Sequence, residues 1–103
     1  MDLHLDGKVA LVTGGNRGLG AACAAMLASE GARIFLTARD DEKLTETAQA
    51  ISGSSGAEVG AMAVDLTKPD AADAVVEAAI KKFGRIDILV NSAGASKGGV
   101  FWE

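Results

Sequence analysis

The chain has 103 residues, of which 49% are hydrophobic and 23% charged, a composition that excludes a disordered or fibrous protein. Its net charge of −4 excludes a basic surface for nucleic acid, and no apolar run could span a membrane, so we predict a cytoplasmic protein. The single cysteine excludes an internal disulfide and leaves too few thiols for structural zinc, so no metal site is predicted.

Four short apolar runs alternate with longer stretches in which apolar residues recur at helical spacing. The predicted strands are residues 8–13, 33–38, 59–64 and 86–91. Their continuous apolar character is typical of parallel strands that are covered on both faces. The alternation therefore predicts a chain of β-α-β units.

The first predicted helix follows the glycine-rich segment after strand 1. Its predicted apolar face holds Leu19, Cys23, Met26 and Leu27. Gly31 is predicted to end it, because glycine favours the left-handed conformation that closes many helices.

The second predicted helix begins after Asp40, a residue type that often caps helix N-termini. Its predicted apolar face holds Leu44, Ala48 and Ile51. The flexible segment 52–56, SGSSG, is predicted to be a surface turn that ends this helix.

The third predicted helix starts at the segment TKPD. Thr67 is its predicted N-cap, Pro69 lies in the first turn, and Asp70 takes a position like that in a capping box. The helix is predicted to end at Gly84, and its predicted apolar stripe is Val76, Ala79, Ile80 and Phe83.

Right-handed crossovers would arrange these elements as an α/β, Rossmann-like doubly wound parallel sheet, with four strands in the order 3-2-1-4. The first two helices are expected on one face of the sheet and the third on the other. Ligands of such sheets bind at the carboxyl ends of the strands, where the strand order reverses.

The turn between strand 1 and the first helix reads TGGNRGLG. Gly14 and Gly15 allow a sharp turn, Gly18 allows close approach of the backbone to a ligand, and Gly20 allows close packing of helix on sheet. Unpaired N–H groups at the helix N-terminus and the charge of Arg17 suit a phosphate. The alternative is a tight turn that binds no ligand.

The spacing T-G-x-x-x-G-x-G in this turn resembles the cofactor motif of the short-chain dehydrogenase/reductase family. Three further segments resemble that family in the right order: TARD at 37–40, VDLT at 64–67 and NSAG at 91–94. Ser92 departs from the family pattern, which has a second asparagine there. The resemblance implies that residues 1–103 form one partial, truncated dinucleotide-binding Rossmann domain, the N-terminal cofactor-binding half of the family fold.

The resemblance also implies NADP as the cofactor. Arg39 stands where NADP-preferring members carry a basic residue, and Ala38 stands where NAD-preferring members usually carry an acid. A guanidinium matches a 2′-phosphate in charge and shape. Arg17 would flank the same phosphate, and the alternative for each arginine is a solvated surface side chain.

The other implied roles follow the matched motifs. Asp65 would bind the adenine amino group, Leu66 would offer a backbone contact, and Asn91 would partly brace the sheet. The full set of predicted cofactor-binding residues is Gly14, Asn16, Arg17, Gly18, Leu19, Gly20, Arg39, Asp65, Leu66, Asn91, Ala93 and Gly94.

The family's function is hydride transfer between a nicotinamide and a carbonyl or alcohol, with a catalytic tyrosine, lysine and serine. This chain has no tyrosine, so no catalytic residue is assigned. One alternative is a non-catalytic NADP-binding or self-assembling fragment. A methyltransferase-like nucleotide site is less favoured, because such sites usually have an acid at the end of strand 2.

The C-terminal segment predicts self-association. Phe101 and Trp102 follow no recognisable helix or strand, and strand 4 is expected to be an unprotected edge. We therefore expect a homo-oligomer, formed through the edge of strand 4 and this apolar tail.

Overall fold

The computed structural model describes residues 4–14, 18–91 and 99–102. Strands and helices alternate through α3, and two strands follow it. In chain order the elements are β1 (Val9–Thr13), α1 (Gly18–Ser29), β2 (Arg33–Ala38), α2 (Asp41–Ser55), β3 (Val59–Ala63), α3 (Ala71–Phe83), β4 (Ile88–Asn91) and β5 (Gly99–Trp102).

The strands form one sheet in the order β3-β2-β1-β4-β5. β1 pairs in parallel with β2 and with β4, and β2 pairs in parallel with β3, which confirms the predicted order 3-2-1-4. Thr13 lies opposite Thr37 of β2 and opposite Asn91 of β4. The carboxyl ends of these three strands are therefore level.

Two apolar layers cover the sheet. Side chains of α1 and α2, among them Leu27 and Leu44, pack with Ile34 of β2 on one side. Val75 and Phe83 of α3 pack on the other side, against a separate set of strand residues. The predicted distribution of helices over the two faces is confirmed.

Strand β5 corrects the prediction that strand 4 is an unprotected edge. β5 runs antiparallel to β4, so that Gly99 lies opposite Asn91 and Trp102 opposite Ile88. The prediction that Phe101 and Trp102 belong to no element is therefore also wrong. An antiparallel neighbour needs only a short connection, and it pairs the backbone groups that a parallel edge would leave free. For residues 99–102 the backbone is described but the side chains are not.

The predicted apolar face of helix α1 is partly correct. Leu27 is buried and Cys23 packs partly buried against the same cluster, whereas Met26 is 45% exposed. Ala24 and Ala28, which the sequence analysis did not place on this face, are buried with Leu27. Gly31 lies just beyond the helix with φ at 101°, in the left-handed region that favours glycine.

Helix α2 begins as predicted but ends later. The side chain of Asp40 accepts a hydrogen bond from the backbone N–H of Lys43 at 3.1 Å. Residues 52–55 continue the helix instead of forming a turn, and Gly56 closes it with φ at 76°. The Ser55 hydroxyl donates to the Ile51 carbonyl at 2.6 Å, within the last turn.

The predicted start of α3 is wrong. Thr67 does not cap the helix, because its backbone N–H and its hydroxyl both donate to the carboxylate of Asp65. Asp70 takes the N-cap position with φ at 68°, and its side chain makes no capping hydrogen bond. The capping box is therefore absent from this helix.

The predicted apolar stripe of α3 is half correct. Ala79 and Phe83 are buried as expected, together with Val75, but Val76 is 41% and Ile80 46% exposed. Residues 75, 79 and 83 recur every fourth position and so form one row facing the sheet. Val76 and Ile80 lie one position beyond that row.

Asp87 connects the amino ends of β1 and β4. Its Oδ2 accepts the backbone N–H of Val9 at 2.9 Å, while Oδ1 accepts from Arg85 Nη2 at 2.6 Å. The hydrogen bonds from Arg85, and then that from Val9, lower the pKa of Asp87. The carboxylate therefore links the start of β1 to the residue that precedes β4, at the amino ends of the parallel strands.

Candidate functional site

The carboxyl edge of the parallel strands brings together residues from all four matched segments. Across the sheet, Asp65 follows β3, Arg39 follows β2, Gly14 follows β1 and Asn91 ends β4. The level strand registers place these residues along one edge, although they are far apart in the sequence.

Gly14, directly after β1, has a backbone conformation that favours glycine. Gly14 has φ at 71°, a conformation that residues with a Cβ rarely adopt. Gly18 begins α1 and is exposed, and among the described residues a Cβ added there would have no non-neighbouring atom within 4 Å. Gly20 is buried. The first turn of α1 carries backbone N–H groups that lack helical partners.

Several predicted residues lie outside the described part of the chain. These are Asn16 and Arg17 between β1 and α1, and Ala93 and Gly94 after β4. Leu19 belongs to α1, but its side chain is likewise not described. Their cofactor roles stay predictions.

Thr13 and Asn91 join the ends of the two central strands. The Thr13 hydroxyl donates to Asn91 Oδ1 at 3.0 Å and also lies 3.4 Å from the Val90 carbonyl oxygen. The sequence predicted a bracing role for Asn91 but not its partner. The sequence did contain the information needed to predict this partner, because both residues end strands that are neighbours in the predicted order.

Arg39 and Asp65 form an ion pair at the ends of β2 and β3. Arg39 Nη2 lies 3.8 Å from Asp65 Oδ2, and the side chains are 77% and 27% exposed respectively. Asp65 Oδ1 accepts from the Thr67 hydroxyl at 2.6 Å and from the Thr67 N–H at 2.9 Å. These two bonds are the main cause of the lowered pKa of Asp65, to which the charges of Arg39 and Lys68 also contribute. The carboxylate is therefore held in its charged form.

Leu66 is partly buried, and its side chain packs against the apolar cluster on the α3 side of the sheet. It therefore supports the segment that carries Asp65. Its predicted backbone contact with a nucleotide stays a prediction.

A separate depression of about 260 Å³ lies at the opposite, amino edge of the sheet. It is lined by the ends of α1 and α2 and by the residues that lead into β2 and β3. None of the predicted cofactor-binding residues lines it.

The similarity of this chain to known proteins extends over all four motif segments. The family model for short chain dehydrogenases matches residues 8–103. The chain belongs to the short chain dehydrogenase family. Within the described residues, no helix combines the length and apolar character needed to cross a membrane.

The relatives of this chain are considerably longer. An uncharacterized oxidoreductase of Staphylococcus saprophyticus is 45% identical over 92 residues, which cover 89% of this chain and 39% of that protein. The crystal structure of L-sorbose reductase from Gluconobacter frateurii, complexed with NADPH and L-sorbose, is 44% identical with a TM-score of 0.88. That match covers 94% of this chain and 37% of the reductase.

A third similar protein carries the other nicotinamide cofactor. The structure of NAD⁺-bound xylitol dehydrogenase is 35% identical with a TM-score of 0.84, covering 88% of this chain and 35% of that one. The chain thus spans little more than a third of the length of these relatives.

Proposed function

We propose that this chain is the nucleotide-binding part of an NADP(H)-dependent oxidoreductase that transfers hydride between the nicotinamide and a carbonyl or alcohol. The observation that carries the proposal is the alignment of Asp65, Arg39, Gly14 and Asn91 along one edge of the sheet. Membership of the short chain dehydrogenase family supports it.

The residues of the carboxyl edge fit a dinucleotide. The first turn of α1 offers backbone N–H groups to a phosphate, and the absence of a Cβ at Gly18 would let a phosphate approach the backbone there. Asp65 would accept from the adenine amino group, with Leu66 beside it. Asn91 would lie toward the nicotinamide half, and the bound cofactor would supply or accept the hydride.

Arg39 favours NADP over NAD. Its side chain is 77% exposed, so the guanidinium could pair with a 2′-phosphate without first being uncovered. The acid that follows it, Asp40, uses its carboxylate to cap α2. A free carboxylate for the hydroxyls of an NAD ribose is therefore less available at this strand end. Among the similar structures, L-sorbose reductase contains NADPH, whereas xylitol dehydrogenase contains NAD⁺.

Calorimetric titration of the chain with NADP and with NAD tests this proposal. Arg39→Ala removes a charge-assisted contact worth about 1.5–3 kcal/mol, so NADP affinity should fall about 10- to 150-fold. NAD affinity should change less than about twofold. Lys43→Ala is the matched control, since it removes an exposed cation from the first turn of α2. Equal losses for NADP and NAD would exclude Arg39 from a 2′-phosphate site.

A second candidate is nucleotide binding without catalysis by these residues. Hydride transfer to a carbonyl also needs a group that delivers a proton, and the 103 residues include no tyrosine. Oxidation of NADPH with a panel of carbonyl compounds would distinguish the two. Saturable NADP binding without turnover would favour the second candidate.

A cytoplasmic location and self-association stay predictions. An association route through a free strand 4 is abandoned, because β5 pairs with that strand. Sedimentation across a range of concentrations would test self-association by another route.

A further inference from the structure

We propose that Asp65 is a positioning residue for Arg39: the ion pair orients the guanidinium for a 2′-phosphate and so sets the preference for 2′-phosphorylated nucleotides. This inference rests on the proposed function. It adds a second role for Asp65 beside any direct contact with adenine.

Strand pairing brings the two residues together. Ala38 and Ala63 lie opposite each other at the ends of β2 and β3, and Val64 N–H donates to the Ala38 carbonyl at 2.8 Å. The two chains therefore leave the sheet side by side, which carries Arg39 and Asp65 to neighbouring positions.

The carboxylate is the fixed member of the pair. Both donors of Thr67 hold Asp65 Oδ1, and the Asp65 side chain is only 27% exposed. The arginine is long and 77% exposed, and its ion pair with Asp65 is its only polar contact within the described residues. A fixed carboxylate beside a long, exposed cation restricts the conformations of the cation, not the reverse.

The contact orients Arg39 without using up its hydrogen-bonding capacity. Only Nη2 faces Asp65, at 3.8 Å, which is longer than a hydrogen bond. The remaining N–H donors of the planar guanidinium can still bind a phosphate. The negative charge of Asp65 is offset by the two Thr67 donors and by Lys68, which limits its repulsion of a phosphate.

The test compares adenosine 2′,5′-bisphosphate with 5′-AMP, each titrated calorimetrically into the full chain. The two probes share the adenine, the ribose and the 5′-phosphate. Any direct contact between Asp65 and adenine therefore cancels in the ratio of their dissociation constants. Asp65→Asn is the test variant, because its amide oxygen can still accept from Thr67.

The matched control is Asp40→Asn. It removes the same charge next to Arg39, from a side chain that caps α2 and forms no ion pair with Arg39 in the described part of the chain. We expect Asp65→Asn to reduce the preference for the bisphosphate about two- to fivefold, because an exposed ion pair contributes little free energy. Asp40→Asn should leave this preference unchanged. In an Arg39→Ala background, Asp65→Asn should have no further effect on this ratio.

An unchanged or increased preference in Asp65→Asn would overturn the inference, as would a loss that persists in the Arg39→Ala background. A loss of affinity that is equal for both probes would restrict Asp65 to the adenine contact and leave the proposed function intact. Failure of the unmodified chain to distinguish the two probes would overturn both proposals.

Discussion

Replacing Asp87 by alanine should destabilise the fold through one particular hydrogen bond. The carboxylate is the acceptor for the N–H of Val9, a residue with no exposed surface, at 2.9 Å. Leaving such a buried donor unpaired costs about 1–3 kcal/mol. The ion pair with Arg85, whose side chain is 51% exposed, adds about 0–1 kcal/mol. We therefore expect Asp87→Ala to lower the free energy of unfolding by about 1–4 kcal/mol.

Urea unfolding of three variants separates the two contributions. Asp87→Asn keeps an acceptor for Val9 and loses only the charge, and Arg85→Ala removes only the ion pair. Each of these should lose about 1 kcal/mol or less, with an unchanged dependence on urea concentration. If Asp87→Ala is no less stable than Arg85→Ala, the reasoning about the Val9 N–H is refuted.

The pH dependence of stability provides an independent check. In the folded chain the pKa of Asp87 lies below its ordinary value of 3.8. The unfolded chain therefore takes up the proton first as the pH falls, so this stabilisation is complete above the unfolded pKa and is lost below it. The stability advantage of the unmodified chain over Asp87→Asn should be constant near neutral pH and shrink as the pH falls below about 4. An advantage independent of pH would contradict the assignment.

Two paired substitutions test the packing of the sheet and of α3. Gly60→Ala should destabilise the chain by about 1–3 kcal/mol, since its Cβ would lie 2.9 Å from the buried ring of Phe35. Gly53 lies in α2, and a Cβ added there would have no non-neighbouring atom within 4 Å, so Gly53→Ala should be neutral or stabilising by up to about 1 kcal/mol. Equal effects of the two substitutions in thermal unfolding would refute the close approach at Gly60. Val75→Ala should cost about 1–3 kcal/mol, whereas Val76→Ala, 41% exposed, should cost about 0.5 kcal/mol or less. If Val76→Ala lost more stability than Val75→Ala in urea unfolding, Val76 would face the core as the sequence predicted.

The strand order and the place of the candidate site could be predicted because they depend on local patterns. Each apolar run ends close to a residue of a matched motif, and right-handed crossovers then fix the order of the four strands. The ion pair between Arg39 and Asp65 was not predicted, although both residues follow strands that are neighbours in the predicted order, because a side-chain contact also depends on the register of β2 against β3.

Competition between partners explains the other errors. Thr67 suits a helix cap, but its hydroxyl and N–H bind Asp65, and α3 begins four residues later. Residues 99–102 are too short a run to be recognised alone, and their strand exists because β4 offers unpaired backbone groups. Residues 52–55 have a turn composition, yet the hydroxyls of Ser54 and Ser55 both donate to the Ile51 carbonyl in the preceding helical turn.

The direction of β5 has a practical consequence for measuring binding. Gly99 lies beside Asn91 at the carboxyl edge, and the strand then runs back so that Trp102 lies beside Ile88 at the amino edge. A fluorophore or surface tether attached after residue 102 would thus lie near the amino edge of the sheet, opposite to the edge that carries Arg39 and Asp65. Immobilisation through that end leaves the proposed nucleotide-binding edge facing the solution.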